Sequence, residues 1–216
     1  MLSLQLRAFD HPLAVLCLGA HCDDIEIGCG ATLARWAREY PNAHFTWAIF
    51  SGDSMRKTES RAACAQLLPR PGTCDMRLFE FRESYFPSQV EQIKDAFEEL
   101  KTALRPDVIL THRLEDRHQD HKLIAELTWN TFRSHVILEY EIPKYEGDLG
   151  HPNVFIPLDT EELGQKIRCL ADCFPSQRSR TWFTDDTFRA LARLRGIECG
   201  APSGFAEAFY GRKLCL

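Results

Sequence analysis

The chain has 216 residues, 44% of them hydrophobic and 26% charged, which suits one soluble domain with a single large core rather than two independent domains. Its formal net charge is −5 and its 26 basic residues are scattered, so a nucleic-acid partner held by general electrostatics is not expected. No window approaches eighteen uninterrupted apolar residues, which excludes a spanning helix, and Met1–Ala8 lacks the basic and apolar pattern of a secretory leader. Nine cysteines, without paired CxxC knuckles, read as reduced thiols of a cytoplasmic protein.

In chain order, strands alternate with helices. Leu13 to Leu18 is a continuous apolar run ending in Gly19-Ala20, as expected of a central parallel strand buried on both faces. Ile25 to Arg38 has helical apolar spacing, and Gly28 and Gly30 predict a first turn packed tightly against the sheet. Phe45–Phe50 reads as a strand, Arg56–Leu68 as a helix, Met76–Phe81 as a strand and Val90–Leu104 as an amphipathic helix. Pro106–Thr111 is a short buried strand, His121–Phe132 a helix and Val136–Glu141 a strand. Residues 144–153, with two glycines and nearby prolines, form a long loop and a candidate substrate rim. Glu161–Cys173 and Asp185–Leu194 are predicted helices, and Phe205–Leu214 a closing strand. Cys169 and Cys173 fall on one helix face as small buried side chains, and Trp182 with Phe183 reads as a helix anchor. The pattern predicts a Rossmann-like α/β fold, with a mostly parallel central sheet flanked by helices, over residues 1–216 as one domain.

Two segments carry the chemistry. Ala20-His21-Cys22-Asp23-Asp24-Ile25-Glu26 follows the first strand, and Asp116-Arg117-His118-Gln119-Asp120-His121 follows the strand ending at Thr111. Ligands of an open parallel sheet collect at the carboxyl ends of strands, so both segments belong to one edge. Imidazoles and carboxylates together suit a divalent metal with three protein ligands and an open position. Asp23 and Asp24, as loop neighbours, point different ways, so one can bind metal while the other takes a proton from water. His118 and His121 are three apart and share a face, so one can ligate while the other faces substrate, and Asp120 can orient a ring nitrogen. Taken singly, the Asp pair is as consistent with a helix cap and the His pair with a solvated face.

Ala20-His21-Cys22-Asp23-Asp24-Ile25-Glu26-Ile27-Gly28-Cys29-Gly30-Ala31-Thr32-Leu33 resembles the AHPDDxExGxGGTL motif of the LmbE/PIG-L family of zinc-dependent N-deacetylases, and Asp116–His121 resembles its DxHxDH motif. Arg56-Lys57-Thr58-Glu59 is similar to the family's RxxE, and Ser176-Gln177 with Ala206-Glu207-Ala208-Phe209 to its SQ and AEAF elements. The resemblance implies that His21, Asp24 and His121 bind zinc (Zn2+), that Asp23 is the general base, and that His118 stabilises the oxyanion or protonates the leaving amine. It implies further that Arg56 contacts substrate hydroxyls or holds the pocket, and that the reaction removes an N-acetyl group from an amino-sugar derivative, a small-molecule partner. A homo-oligomer is compatible with this reading. Cys22 stands in place of proline and Ala31 in place of glycine; Cys22 leaves the loop geometry more dependent on packing. Two other functions stay open: a zinc amidase for a non-sugar amide or thiol conjugate, and a catalytically idle metal- or ligand-binding domain.

Overall fold

A computed structural model describes residues 11–70 and 72–214. Met1–Ala8, the stretch read for a leader, and Cys215 lie outside the described residues. Among these residues the strands β1 (Ala14–Gly19), β2 (His44–Ile49), β3 (Cys74–Leu78), β4 (Val108–His112), β5 (Val136–Tyr140), β6 (Val154–Leu158) and β7 (Phe205–Gly211) form one sheet in the order β3-β2-β1-β4-β5-β7-β6. The pairs from β3 through β5 are parallel, and β7 runs antiparallel to both β5 and β6. The helices are α1 (Asp24–Glu39), α2 (Ser54–Leu67), α3 (Val90–Ala103), α4 (Gln119–Thr131), α5 (Thr160–Cys173) and α6 (Asp185–Cys199).

The apolar run of β1 feeds two cores because successive strand side chains point to opposite faces. Val15 and Cys17 join the core under α1, α2, α5 and α6, whereas Leu16 and Leu18 join the one under α3 and α4. The chain lays β2 and β3 on one side of β1 and then crosses to place β4 on the other. That reversal puts the loops after β1 and β4 side by side, the crevice where such folds bind ligands.

Three expectations are corrected. The predicted strand at 76–81 lies at Cys74–Leu78, because its register is set by pairing with Phe45–Ile49 rather than by its own alternation. The predicted helix ending at Leu194 continues to Cys199, where Gly200 closes it in the left-handed conformation (φ 66°). The predicted closing strand Phe205–Leu214 ends at Gly211, where its pairing with β5 ends. Residues 154–158 also form a strand, β6. Its Pro157 cannot donate to a ladder, a defect tolerated here because β6 pairs only with β7 and ends the sheet. Phe183 packs on Phe174 and Phe188, so it anchors the segment before α6 as expected.

Candidate metal centre and catalytic site

Asp23 occupies the N-cap position of α1, yet its side chain makes no cap hydrogen bond. Instead, Arg56 Nη2 on α2 lies 2.8 Å from Asp23 Oδ1, and Arg56 Nη1 lies 3.7 Å from Glu83. Burial pushes the Asp23 carboxyl above its ordinary range, opposed by the Arg56 cation. Asp24 turns the other way and accepts the His21 backbone N–H on Oδ2 at 2.7 Å. The helix-cap alternative for the pair therefore fails: one carboxylate is held by a guanidinium and the other folds back onto the loop.

His21 Nδ1 lies 3.1 Å from His121 Nε2 and 3.4 Å from Asp24 Oδ2, and His121 Nε2 lies 3.4 Å from Asp24 Oδ1. A tetrahedral ion with bonds of about 2.05 Å separates its ligand atoms by about 3.3 Å, close to the 3.1 Å between the two ring nitrogens, while each ring stands 3.4 Å from a different oxygen of Asp24. His118, His21 and His121 also group closely enough to hold a metal ion, as do Asp24, His112 and His121. The donor set fits a divalent ion with nitrogen and oxygen preference, and His21, Asp24 and His121 are the residues that would hold it.

The surroundings orient each donor. Asp120 Oδ2 sits 3.2 Å from His21 Nε2, and its carboxylate accepts the backbone N–H groups of Ser84 (2.6 Å) and Phe86 (3.1 Å). Asp120 is thus fully buried and placed to fix the His21 ring, as the sequence suggested. Asp116 Oδ2 lies 3.1 Å from His121 Nδ1, and its Oδ1 accepts the His118 N–H at 2.8 Å. His118 is the N-cap of α4 rather than part of the helix. Its Nδ1 accepts the Asp120 N–H at 3.3 Å, and its half-buried ring sits 4.5 Å from the His121 ring. Burial, with the His21 ring nearby, lowers the His118 pKa. In His21 burial alone would lower the pKa, but the Asp24 and Asp120 carboxylates outweigh it and push it up to about 10. His121, buried beside His112, drops to about 3.

Two functional neighbours were missed in the sequence. His112, the last residue of β4, is fully buried, stacks on His121 with centroids 4.0 Å apart and accepts the Ala20 N–H at 3.0 Å. Its Nε2 also lies 3.2 Å from Asp24 Oδ2. A histidine ending a buried strand just before the second motif was the available signal. Lys144, in the 144–153 loop, was read as part of a polar rim, yet it lies 3.0 Å from Asp116 Oδ2.

The remaining motif residues hold the frame. Gly28 is needed because a Cβ there would stand 2.3 Å from the Tyr140 ring, whose hydroxyl donates to Leu18 O at 2.6 Å. The α1 helix breaks at Cys29 (φ −147°, ψ 15°), which frees backbone groups on both sides. Glu207 accepts the N–H groups of Ala31 (3.2 Å) and Thr32 (2.7 Å), and Lys166 donates to Ile27 O and Glu207, each at 2.6 Å. Glu59 accepts both the backbone N–H (2.9 Å) and the hydroxyl (2.6 Å) of Ser176, which ties α2 to the segment after α5. Cys22 points away from the donors: its thiol donates to Ser51 O at 3.3 Å, and burial pushes its pKa up to about 12. A cleft of about 660 Å³ opens beside Arg56, lined by Asp53, Ser54, Lys57, Arg61, Phe81 and Glu83 among others.

Comparison with known proteins agrees with this architecture. A curated relative, the "Uncharacterized deacetylase YaiS" of Escherichia coli K12, is 34% identical over 179 residues, covering 78% of this chain and 94% of the relative. The N,N'-diacetylchitobiose deacetylase of Pyrococcus horikoshii superposes with a TM-score of 0.69 at 18% identity, covering 92% of this chain and 83% of that one. The same fold also serves other chemistry: GalB, the 4-carboxy-2-hydroxymuconate hydratase of Pseudomonas putida KT2440, superposes at 0.73 with 16% identity, over 94% and 98% of the two chains. The family model described as "PIG-L: GlcNAc-PI de-N-acetylase" matches residues 16–132, the stretch that contains both metal-donor segments, and this chain belongs to that family.

Proposed function

We propose that the protein is a zinc-dependent hydrolase that removes an N-acetyl group from an amino-sugar derivative. The observation that carries this reading is His21 Nδ1 and His121 Nε2 standing 3.1 Å apart, each 3.4 Å from one oxygen of Asp24, beside a second carboxylate, Asp23, held by Arg56. When bound, zinc polarises the amide carbonyl and makes the attacking water more acidic. Asp23 takes the proton from that water. Its burial makes it a stronger base than an exposed aspartate, while Arg56 keeps it ionised and aims its free oxygen. With its Nδ1 accepting the Asp120 N–H, His118 carries its proton on Nε2, which would donate a hydrogen bond to the developing oxyanion, and the proton taken up by Asp23 would pass to the departing amine. Asp120 and Asp116 hold the rings of His21 and His121 while this happens.

The polar cleft beside Arg56 supports a polyhydroxylated substrate, since its Ser54, Thr58, Asp53 and Glu83 side chains offer hydrogen bonds and Phe81 offers an apolar surface. Names of relatives that act on acetylated sugars support the same class. Eight free thiols among the described residues support a reducing compartment such as the cytoplasm.

The test couples metal analysis to acetate release from free, nucleotide-linked and lipid-linked N-acetylglucosamine derivatives. One zinc per chain and acetate release, abolished in Asp23→Asn with zinc retained, are the expected results. Near wild-type acetate release by Asp23→Asn would refute the assignment of the base, and amine release without acetate would point to a different acyl group.

A further inference from the structure

We infer that Lys144 is a positioning residue for the metal centre, acting through Asp116 on His121. The inference rests on the metal reading above. Lys144 Nζ lies 3.0 Å from Asp116 Oδ2, the same oxygen that stands 3.1 Å from His121 Nδ1. The ammonium is not a surface group: its side chain is only 7% exposed, and it also donates to both oxygens of Asp148 at 2.8 Å. Asp148 Oδ2 in turn accepts the Arg117 N–H at 2.8 Å, so Lys144 grips the second motif at two points. The loop that carries it is braced on its far side. Glu141 receives Arg195 from α6 at 2.8 and 2.7 Å and the Tyr210 hydroxyl at 2.9 Å, and Gly150 N–H closes the loop onto Glu141 at 3.3 Å.

Two buried carboxylates, Asp116 and Asp148, face one ammonium, and Asp116 must offer the same lone pairs to a histidine. Without a cation, the two acids would repel and only the His118 N–H on Oδ1 would hold Asp116 opposite His121. Lys144 removes that freedom. A carboxylate with a fixed orientation sets the tautomer and the angle of the imidazole behind it, and loss of such a partner commonly costs 10- to 100-fold in metal affinity.

The experiment measures zinc affinity of the metal-free protein by chelator competition, the visible spectrum of the cobalt-substituted protein at saturation, and the thermal midpoint of the metal-free form. Lys144→Met leaves Asp148 buried without its cation, so both stability and affinity should fall. The double variant Lys144→Met/Asp148→Asn removes that unpaired acid and should recover the midpoint, yet still bind zinc 10- to 100-fold more weakly and shift the cobalt bands. Asp148→Asn alone keeps the contact between Lys144 and Asp116 and should bind zinc within threefold of wild type. Double-variant affinity and cobalt spectrum equal to wild type would overturn the inference, as would an equal loss in Asp148→Asn alone. If the wild-type protein takes up neither zinc nor cobalt, the metal reading itself fails, and this inference with it.

Discussion

In the metal-free protein, the centre should hold a proton where the metal would sit. His21 Nε2 faces Asp120 Oδ2 at 3.2 Å and its Nδ1 faces His121 Nε2 at 3.1 Å, while His121 Nδ1 faces Asp116 at 3.1 Å. Two arrangements satisfy all three contacts, with the imidazolium on His21 or on His121; the Asp24 and Asp120 carboxylates against His21, and the burial of His121 beside His112, favour a His21 imidazolium that donates to Asp120 and to a neutral His121, which donates in turn to Asp116. Burial opposes that charge, but Asp24 and Asp120 outweigh it and move His21 from 6.5 to about 10. The difference corresponds to roughly 5 kcal/mol at about 1.4 kcal/mol per pH unit. The assay is a long-range ¹H–¹⁵N titration of the imidazoles in chelator-treated protein, with His21 assigned by comparison with His21→Gln. His21 should remain charged at pH 8 and titrate near 10, and Asp120→Asn should bring the midpoint down. Because the folded pKa is raised, this group's contribution to stability is complete below pH 6.5 and is lost as pH rises through about 10. The thermal midpoint of the metal-free form should therefore fall across that window, and the zinc-loaded form should lack this contribution to the fall, since zinc replaces the proton. A His21 midpoint below pH 8 would refute this account of the centre.

Other perturbations test the site and its frame. His121→Ala removes one of three donors and should abolish stoichiometric zinc, read by metal analysis after gel filtration. Arg56→Met removes the cation that opposes the upward shift of Asp23, so the acid limb of the pH–rate profile should move to higher pH while zinc content stays unchanged. Gly28→Ala drives a methyl group to 2.3 Å from the Tyr140 ring and should cost about 1–3 kcal/mol in denaturant unfolding. Lys166→Met strands the buried Glu207 carboxylate and should cost about 3–5 kcal/mol. Lys166→Met/Glu207→Gln should recover much of that loss.

The order of elements was legible in the chain because strand and helix signals are local. The apolar run before Gly19 and the helical spacing after Ile25 needed no tertiary information, and together they placed the Ala20–Glu26 motif at a strand end. The same reasoning put Asp116–His121 at a second strand end. His21, the Asp23–Asp24 pair and the His118–His121 pair could be named as candidates because metal chemistry restricts residue type, and the family resemblance implied His21, Asp24 and His121 among them. Cys22, whose place in the motif raised the question of a competing ligand, is decided by packing: Gly52 leaves room for its sulfur, which stands 2.3 Å from where a Cβ would be.

What the sequence could not show depends on groups far apart in the chain. The antiparallel direction of the predicted closing strand β7 and the existence of the edge strand β6 come from pairing, and Pro157 masks β6 from any periodicity argument. His112 shows locally only a histidine at the end of a buried strand; its place in the site arises from stacking on a ring that enters from α4. Glu59 meets Ser176 across 117 positions, and Lys166 meets Glu207 across 41. Residue type and local spacing narrowed the candidates; only the crossover between β1 and β4 brought His21 and His121 to 3.1 Å. Electrostatics then followed from burial: the same imidazole that titrates near 6.5 in water is driven up in His21 and down in His121 by the company each ring keeps.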